Sequence, residues 1–189
     1  MELPKRKHPR LKNYDYSSNG YYFITFCVEN PKVKLSTVEL SMVGRGCEQS
    51  SADVTTVGRG LDPAVAKATV TLTDYGKIVE EEILDVQKKF EIIKIDKYCI
   101  MPNHVHLIIV IDDFGVSAGS RPRPTVPDIM KIIKSKSARR FNQIDSTPGR
   151  KVYQTSYMDE IIGSVKYYEE VWRYIDENPA KWLITKQII

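Results

Sequence analysis

The chain has 189 residues, a formal net charge of +4 at pH 7, 42% hydrophobic residues and 28% charged residues. This length and balance predict one globular domain with a sizeable core. No apolar run approaches the roughly 20 residues that span a bilayer, and the basic N-terminus lacks the apolar segment of a signal peptide. We therefore expect a cytoplasmic protein with no membrane partner. The small charge excess says little about other partners.

Changes in hydrophobic period divide the chain into strand, helix, strand, strand, helix, strand and helix. The first strand covers residues 21–28, and a helix follows from about Leu72 to Phe90. Residues 92–100 and 104–111 are strands separated by a three-residue turn, so they should pair as a hairpin. This order predicts an α+β fold, a ferredoxin-like split βαβ antiparallel sheet with helices on one face and an additional C-terminal helix.

Two segments, residues 36–69 and about 115–125, lie between these elements and are rich in Gly, Ser, Pro and Arg. The first contains Val-Gly-Arg-Gly twice, beginning at Val43 and at Val57. Neither segment has a helical or strand period, so we expect surface insertions, either without a role or as mobile arginine-bearing loops near nucleic acid. The predicted organisation is a basic arm over residues 1–20, one domain over 21–182 and a tail over 183–189.

Two of the three histidines, His104 and His106, lie at the start of an apolar strand. Side chains at positions i and i+2 of a strand share one face, so both imidazoles can reach one divalent ion. Two strand histidines can also be merely hydrogen-bonded. The pair alone therefore leaves both interpretations open.

The last helix is predicted from Ser164 to about Asn178, because the residue before Pro179 disfavours the α region. Its expected core stripe consists of Tyr168, Trp172 and Ile175. Tyr174 and Asn178 are one turn apart and can point at one place. A tyrosine hydroxyl attacks a phosphodiester when a metal or base stabilises the charge that develops, and an amide oxygen one turn away can complete a two-histidine metal site.

Basic residues gather in two segments. One is the N-terminal arm, where Lys5, Arg6 and Lys7 are candidate contacts for a DNA backbone. The second segment is a predicted amphipathic helix entered through Thr125-Val126-Pro127-Asp128, with a cap and a proline where a helix start favours them. Its cations are Lys131, Lys134, Lys136, Arg139 and Arg140. This face is either an ordinary solvated face or a surface that binds phosphates.

The segment Met101-Pro102-Asn103-His104-Val105-His106-Leu107 closely resembles the His-hydrophobic-His motif of the single-tyrosine HUH transposases, the insertion-sequence-200-like family. Tyr174-Ile175-Asp176-Glu177-Asn178-Pro179 resembles the tyrosine motif of their REP-associated branch. The resemblance extends from about Tyr21 to Trp182 and implies that His104 and His106 hold Mg²⁺ or Mn²⁺. It implies Tyr174 as the nucleophile toward single-stranded DNA and Asn178 as the third metal ligand.

The resemblance also implies the reaction and the partner. A transposase of this family nicks hairpin-forming or palindromic DNA and transfers the strand through a 5′-phosphotyrosine link, as a monomer or homodimer. Tyr153, Met158 and Glu160 stand where relatives often have tryptophan, tyrosine and histidine. The alternatives are a hairpin-DNA-binding protein that no longer cuts, a replication-initiator or relaxase-like HUH nuclease, and a metallohydrolase unrelated to DNA. The last would need acidic ligands near the histidines, where residues 107–111 are apolar.

Overall fold

A computed structural model describes residues 14–42, 66–113 and 123–187. Its elements in chain order are β1 (Gly20–Cys27), β2 (Ser36–Met42), β3 (Ala66–Leu72), α1 (Asp74–Lys89), β4 (Ile93–Ile100), β5 (His104–Ile111), α2 (Val126–Ile144), β6 (Met158–Ile162) and α3 (Val165–Gln187). All seven predicted elements are present, together with two further strands. Within the described ranges, no helix is long and apolar enough to cross a membrane.

Four strands form one antiparallel sheet in the order β4-β5-β1-β6. This order, with α1 between β1 and β4 and α2 between β5 and β6, is the ferredoxin-like arrangement, so the predicted fold class is confirmed. The predicted hairpin joins β4 to β5. Its turn is closed by the Met101 N–H, which donates to the His104 carbonyl at 2.8 Å.

The sheet has a hydrophobic core on each face because successive strand side chains point to opposite sides. One core packs the sheet against α1 and α2, and its strand residues include Tyr22, Ile24, Phe26, Val105, Leu107 and Ile109. The other core packs the sheet against α3 through Phe23, Ile108, Val171 and Ile175. The sheet therefore lies between α1 and α2 on one side and α3 on the other.

The start of α2 has the predicted capping arrangement. The Thr125 hydroxyl accepts from the Asp128 N–H, and the Asp128 carboxylate accepts from the Thr125 N–H, which forms a capping box. Pro127 lies in the first turn, where its missing N–H leaves no helical hydrogen bond unmade. Local sequence chemistry alone therefore fixes where this helix begins.

The prediction that residues 36–69 lack strand structure is wrong at both ends of the segment. β2 and β3 pair antiparallel, from Ser36 opposite Leu72 to Met42 opposite Ala66, and this ribbon contacts α3. Apolar residues recur at every second position of both strands, so a strand period is present that the prediction missed: Val38, Leu40 and Met42 in β2, and Ala66, Ala68, Val70 and Leu72 in β3. The Val-Gly-Arg-Gly repeats and residues 114–122 lie outside the described residues.

The predicted end of the last helix at Asn178 is also wrong. α3 continues through the buried Pro179 to Gln187, so it includes the first part of the predicted tail. Proline at this position removes the helical hydrogen bond to the Ile175 carbonyl, and its ring crowds that carbonyl. Tertiary packing offsets that loss, since the Trp182 ring lies 5.8 Å from that of His104.

Two other expectations need correction. Trp172 does not belong to the core of α3, because 40% of its surface is exposed, and Val171 fills the buried position instead. Tyr16, which falls within the predicted N-terminal arm, is buried in the first core and belongs to the domain. Lys5, Arg6 and Lys7 lie outside the described residues, so their proposed contacts with DNA stay a prediction.

Gly76 in the first turn of α1 lies directly under the backbone of residue 35. A Cβ atom at Gly76 would overlap the Leu35 carbonyl oxygen, which accepts a hydrogen bond from the Thr73 N–H at 3.0 Å. A backbone atom held in this way cannot easily move aside. The contact therefore ties the start of α1 to the chain that leads into β2.

We expect Gly76→Ala to lower the free energy of unfolding by about 1–3 kcal/mol through overpacking, although alanine favours helices by about 1 kcal/mol. Chemical denaturation measures the change. Gly163→Ala is the matched control, since a Cβ there meets no atom within 4 Å. A more stable Gly76→Ala protein would contradict the close approach.

Candidate active site

The two histidines project from β5, a central strand of the sheet, toward α3. β5 pairs with β1 so that Cys27 is opposite His104 and Thr25 is opposite His106. The alternating residues Val105 and Leu107 enter the core under α1 and α2, which leaves the histidines on the other face. Their ring centroids are 4.6 Å apart.

His106 is held on several sides. Its Nδ1 lies 2.7 Å from the Thr25 hydroxyl, and its ring stacks on Phe23 with centroids 5.6 Å apart. Only 3% of the residue is exposed. Burial, with a smaller effect of the neighbouring His104, lowers the pKa of His106 to about 3. The imidazole is therefore neutral at physiological pH and keeps a lone pair for a ligand.

His104 is also oriented through its Nδ1. That nitrogen donates to the Asn103 side-chain oxygen at 2.7 Å. Burial lowers the pKa of His104, and a side-chain hydrogen bond with Asn178 partly opposes this effect. Since Nδ1 is engaged, the Nε2 atom is the nitrogen that remains for another partner.

α3 brings Asn178 and Tyr174 to the same place. The buried Asn178 amide lies 3.2 Å from His106 Nε2. One turn earlier, the half-buried Tyr174 ring packs edge-on against His106 with centroids 5.2 Å apart. Lys181 lies one further turn along, with its Nζ 5.6 Å from the centre of the Tyr174 ring. The structure thus brings together all four residues singled out in the sequence for chemistry.

Contacts beside the cluster fix the position of α3 on the sheet. Lys97 of β4 pairs with Asp176 at 2.6 Å, and its ammonium lies over the Trp172 ring. Tyr168 donates to Asp96 at 2.5 Å. At the opposite edge of the sheet, the Tyr167 hydroxyl donates to Glu160 of β6. These contacts set the register between the helix and the histidines.

The donor atoms of the cluster suit a divalent cation. Nδ1 of each histidine has a partner, an arrangement that orients metal-binding imidazoles, and Nε2 of His106 lies beside the Asn178 amide. Rotation about χ2 of Asn178 exchanges its amide nitrogen and oxygen, so the same side chain can supply an oxygen. No cluster of three His, Cys, Asp or Glu with metal-binding spacing occurs among residues 14–42, 66–113 and 123–187. A site here would therefore depend on the amide.

The basic residues of α2 do not line this cluster, because α2 covers the other face of the sheet. Three of them have protein partners: Lys136 and Arg140 pair with Glu82, and Lys134 donates to the backbone carbonyl of Gln154. Lys131 and Arg139 are exposed. A role in binding phosphate remains a prediction, and the exposed pair is best placed for it.

Sequence reasoning missed Thr25, Phe23 and Trp182, which surround the histidines. Thr25 has a detectable signal, since it is a polar residue among apolar ones in β1. Its role depends on the register between β1 and β5, which no local pattern specifies. Trp182 was missed because the helix was expected to end before Pro179, whereas α3 continues to Gln187.

Comparison with known proteins agrees with this fold. An uncharacterized protein of Haemophilus influenzae is 27% identical over 192 aligned positions, covering 94% of this chain and 89% of that protein. The solved structure of a REP-associated tyrosine transposase bound to a REP hairpin superposes with a TM-score of 0.50 at 16% identity. The superposition covers 91% of this chain and 73% of that one. The fold is therefore that of a REP-associated tyrosine transposase.

The family model described as "Transposase IS200 like" matches residues 66–178, which include the histidine pair, the helix tyrosine and Asn178. The chain belongs to the IS200-like transposase family. The family resemblance predicted from the two motifs is confirmed.

Proposed function

We propose that this protein nicks single-stranded DNA and transfers the cut strand through a covalent link to Tyr174. The observation that carries the proposal is the convergence of Tyr174 with two neutral histidines and a buried amide on one face of the sheet. A phenol, a pair of imidazole nitrogens and an amide oxygen are the groups that such a reaction needs.

The reaction is an in-line displacement at phosphorus. The Tyr174 oxygen forms a bond to the phosphorus while the bond from phosphorus to the 3′ oxygen breaks. The phenolic proton is released, and the departing 3′ oxygen takes up a proton, which leaves a 3′-hydroxyl and a 5′-phosphotyrosine. Attack by a 3′-hydroxyl on this link reverses the step and joins a new strand to the phosphate.

His104, His106 and Asn178 would hold the required Mg²⁺ or Mn²⁺. When bound, the cation would supply positive charge to the phosphate oxygens. Thr25 and Asn103 keep the two rings oriented through their Nδ1 atoms. Phe23 and Trp182 pack against the rings and limit access of water from the sides.

The proposed substrate is hairpin DNA with a single-stranded flank. A transposase with this fold has been solved with a REP hairpin, and this chain shares its architecture over most of its length. The basic arm and the exposed cations of α2 would hold the DNA backbone, and the protein would act as a monomer or homodimer. The experiment is incubation with Mg²⁺ and a labelled hairpin oligonucleotide from DNA beside its own gene, followed by a denaturing gel.

We expect Tyr174→Phe to abolish the covalent adduct on that gel and to leave the fold and DNA affinity nearly unchanged, because only one oxygen is lost. Tyr168→Phe is the matched control, as its hydroxyl is bound to Asp96 away from the histidines. An adduct in Tyr174→Phe would reassign the nucleophile. A wild-type protein that binds the hairpin without forming an adduct would support the non-cleaving alternative.

The metal site gives a second prediction. His104→Ala and His106→Ala should each remove cleavage that depends on Mg²⁺ or Mn²⁺, and Asn178→Ala should reduce it less, since an amide is the weakest of the three ligands. Isothermal titration with Mn²⁺ should show the same order. His8→Ala, which replaces the remaining histidine, is the control. Full activity in excess EDTA would refute the metal requirement.

A third prediction concerns the exposed cations of α2. Replacing Lys131 and Arg139 with alanine should flatten the salt dependence of single-stranded DNA binding by roughly 0.7 log units per lost phosphate contact. The loss should be similar for unrelated sequences. A Lys77→Ala/Lys88→Ala protein removes the same charge from α1 and serves as the control. Equal slopes in both double variants would identify the α2 face as a solvated one.

A further inference from the structure

A cleft of about 210 Å³ opens beside the histidine pair, at the β6 edge of the sheet. Its lining includes Thr25, Cys27, Gln154, Ser156, Tyr157 and Met158. Thr25 also contacts His106, and Cys27 is opposite His104 on the neighbouring strand. The cleft is therefore a direct neighbour of the candidate active site.

The outer wall of this cleft is held in place by Lys134. Its ammonium donates to the carbonyl of Gln154 at 2.7 Å and lies 3.4 Å from those of Thr155 and Ser156. On the inner side, the Gln154 N–H donates to the Cys27 carbonyl at 3.0 Å. Residues 154–156 are thus fixed from both sides, and their exposed side chains have a defined position relative to the histidines.

The chemistry of the lining favours a small planar ligand with polar edges. Met158 is 49% exposed and offers an apolar thioether, while the exposed Gln154 amide offers both a donor and an acceptor. An amide of this kind can form two hydrogen bonds with the edge of a base such as adenine. The volume is below the roughly 300–1,000 Å³ of pockets for drug-sized ligands, so it suits one ring system.

We propose that this cleft receives one unpaired nucleobase of the DNA strand, next to the phosphate that Tyr174 attacks. The Gln154 amide reads the edge of the base, and Met158 packs against its face. Lys134 acts as a positioning residue for residues 154–156. The proposal rests on the proposed function, and it adds a place where the protein selects a base beside the cleavage position.

The experiment measures binding with Tyr174→Phe protein, so that cleavage is not required. Each nucleotide in the single-stranded flank of the labelled hairpin is replaced, one at a time, by an abasic residue, and affinity is measured by fluorescence anisotropy. We expect one position at which base removal weakens binding about tenfold, the size of a single base contact. In the same background, Gln154→Ala/Met158→Ala should reduce that penalty to within twofold.

Gln143→Ala, which removes an exposed amide from α2, should keep the full penalty and is the matched control. The cleft proposal is overturned when no flank position shows a penalty above twofold, or when the double variant retains the penalty. An adduct on wild-type protein without a base-dependent penalty would leave the proposed function standing and remove the cleft. A base-dependent loss of affinity without a covalent adduct would support the cleft and contradict the proposed function.

Discussion

The two-residue alternation of β5 is the constraint on which the rest of the structure depends. This central strand is covered on both faces, so each residue belongs either to the core under α1 and α2 or to the face under α3. His104 and His106 can share the second face only because Val105 and Leu107 occupy the first. A shift of one residue in the pairing with β1 would bury both imidazoles behind the sheet and separate His106 from Thr25.

The second requirement is the attachment of α3. Its apolar core residues pack against the sheet. Its position along the strands is fixed by polar contacts, those of Lys97 with Asp176 and of Asn178 with His106. The length of the helix beyond Pro179 matters for the same reason. The segment after Pro179, which was not expected to be helical, places Trp182 beside His104. This segment therefore forms one wall of the candidate site.

Much of this arrangement could be predicted from the sequence because it depends on local rules. Strand alternation placed the histidines on one face, and helical spacing placed Tyr174 near Asn178. The capping residues around Thr125 located the start of α2. The failures concern interactions between distant segments. β2 and β3 pair across the long segment that separates them in the sequence, the partner of His106 depends on strand register, and the helix continues past Pro179 through tertiary contacts that outweigh a local preference.

The site is completed within one chain, because α3 packs on the sheet of the same molecule that carries the histidines. Each polypeptide therefore contains both Tyr174, the proposed nucleophile, and the groups that surround it. A mixture of two defective chains, one without the histidines and one without the tyrosine, would hold no intact centre unless α3 were exchanged between them. Complementation between such chains would thus report helix exchange directly.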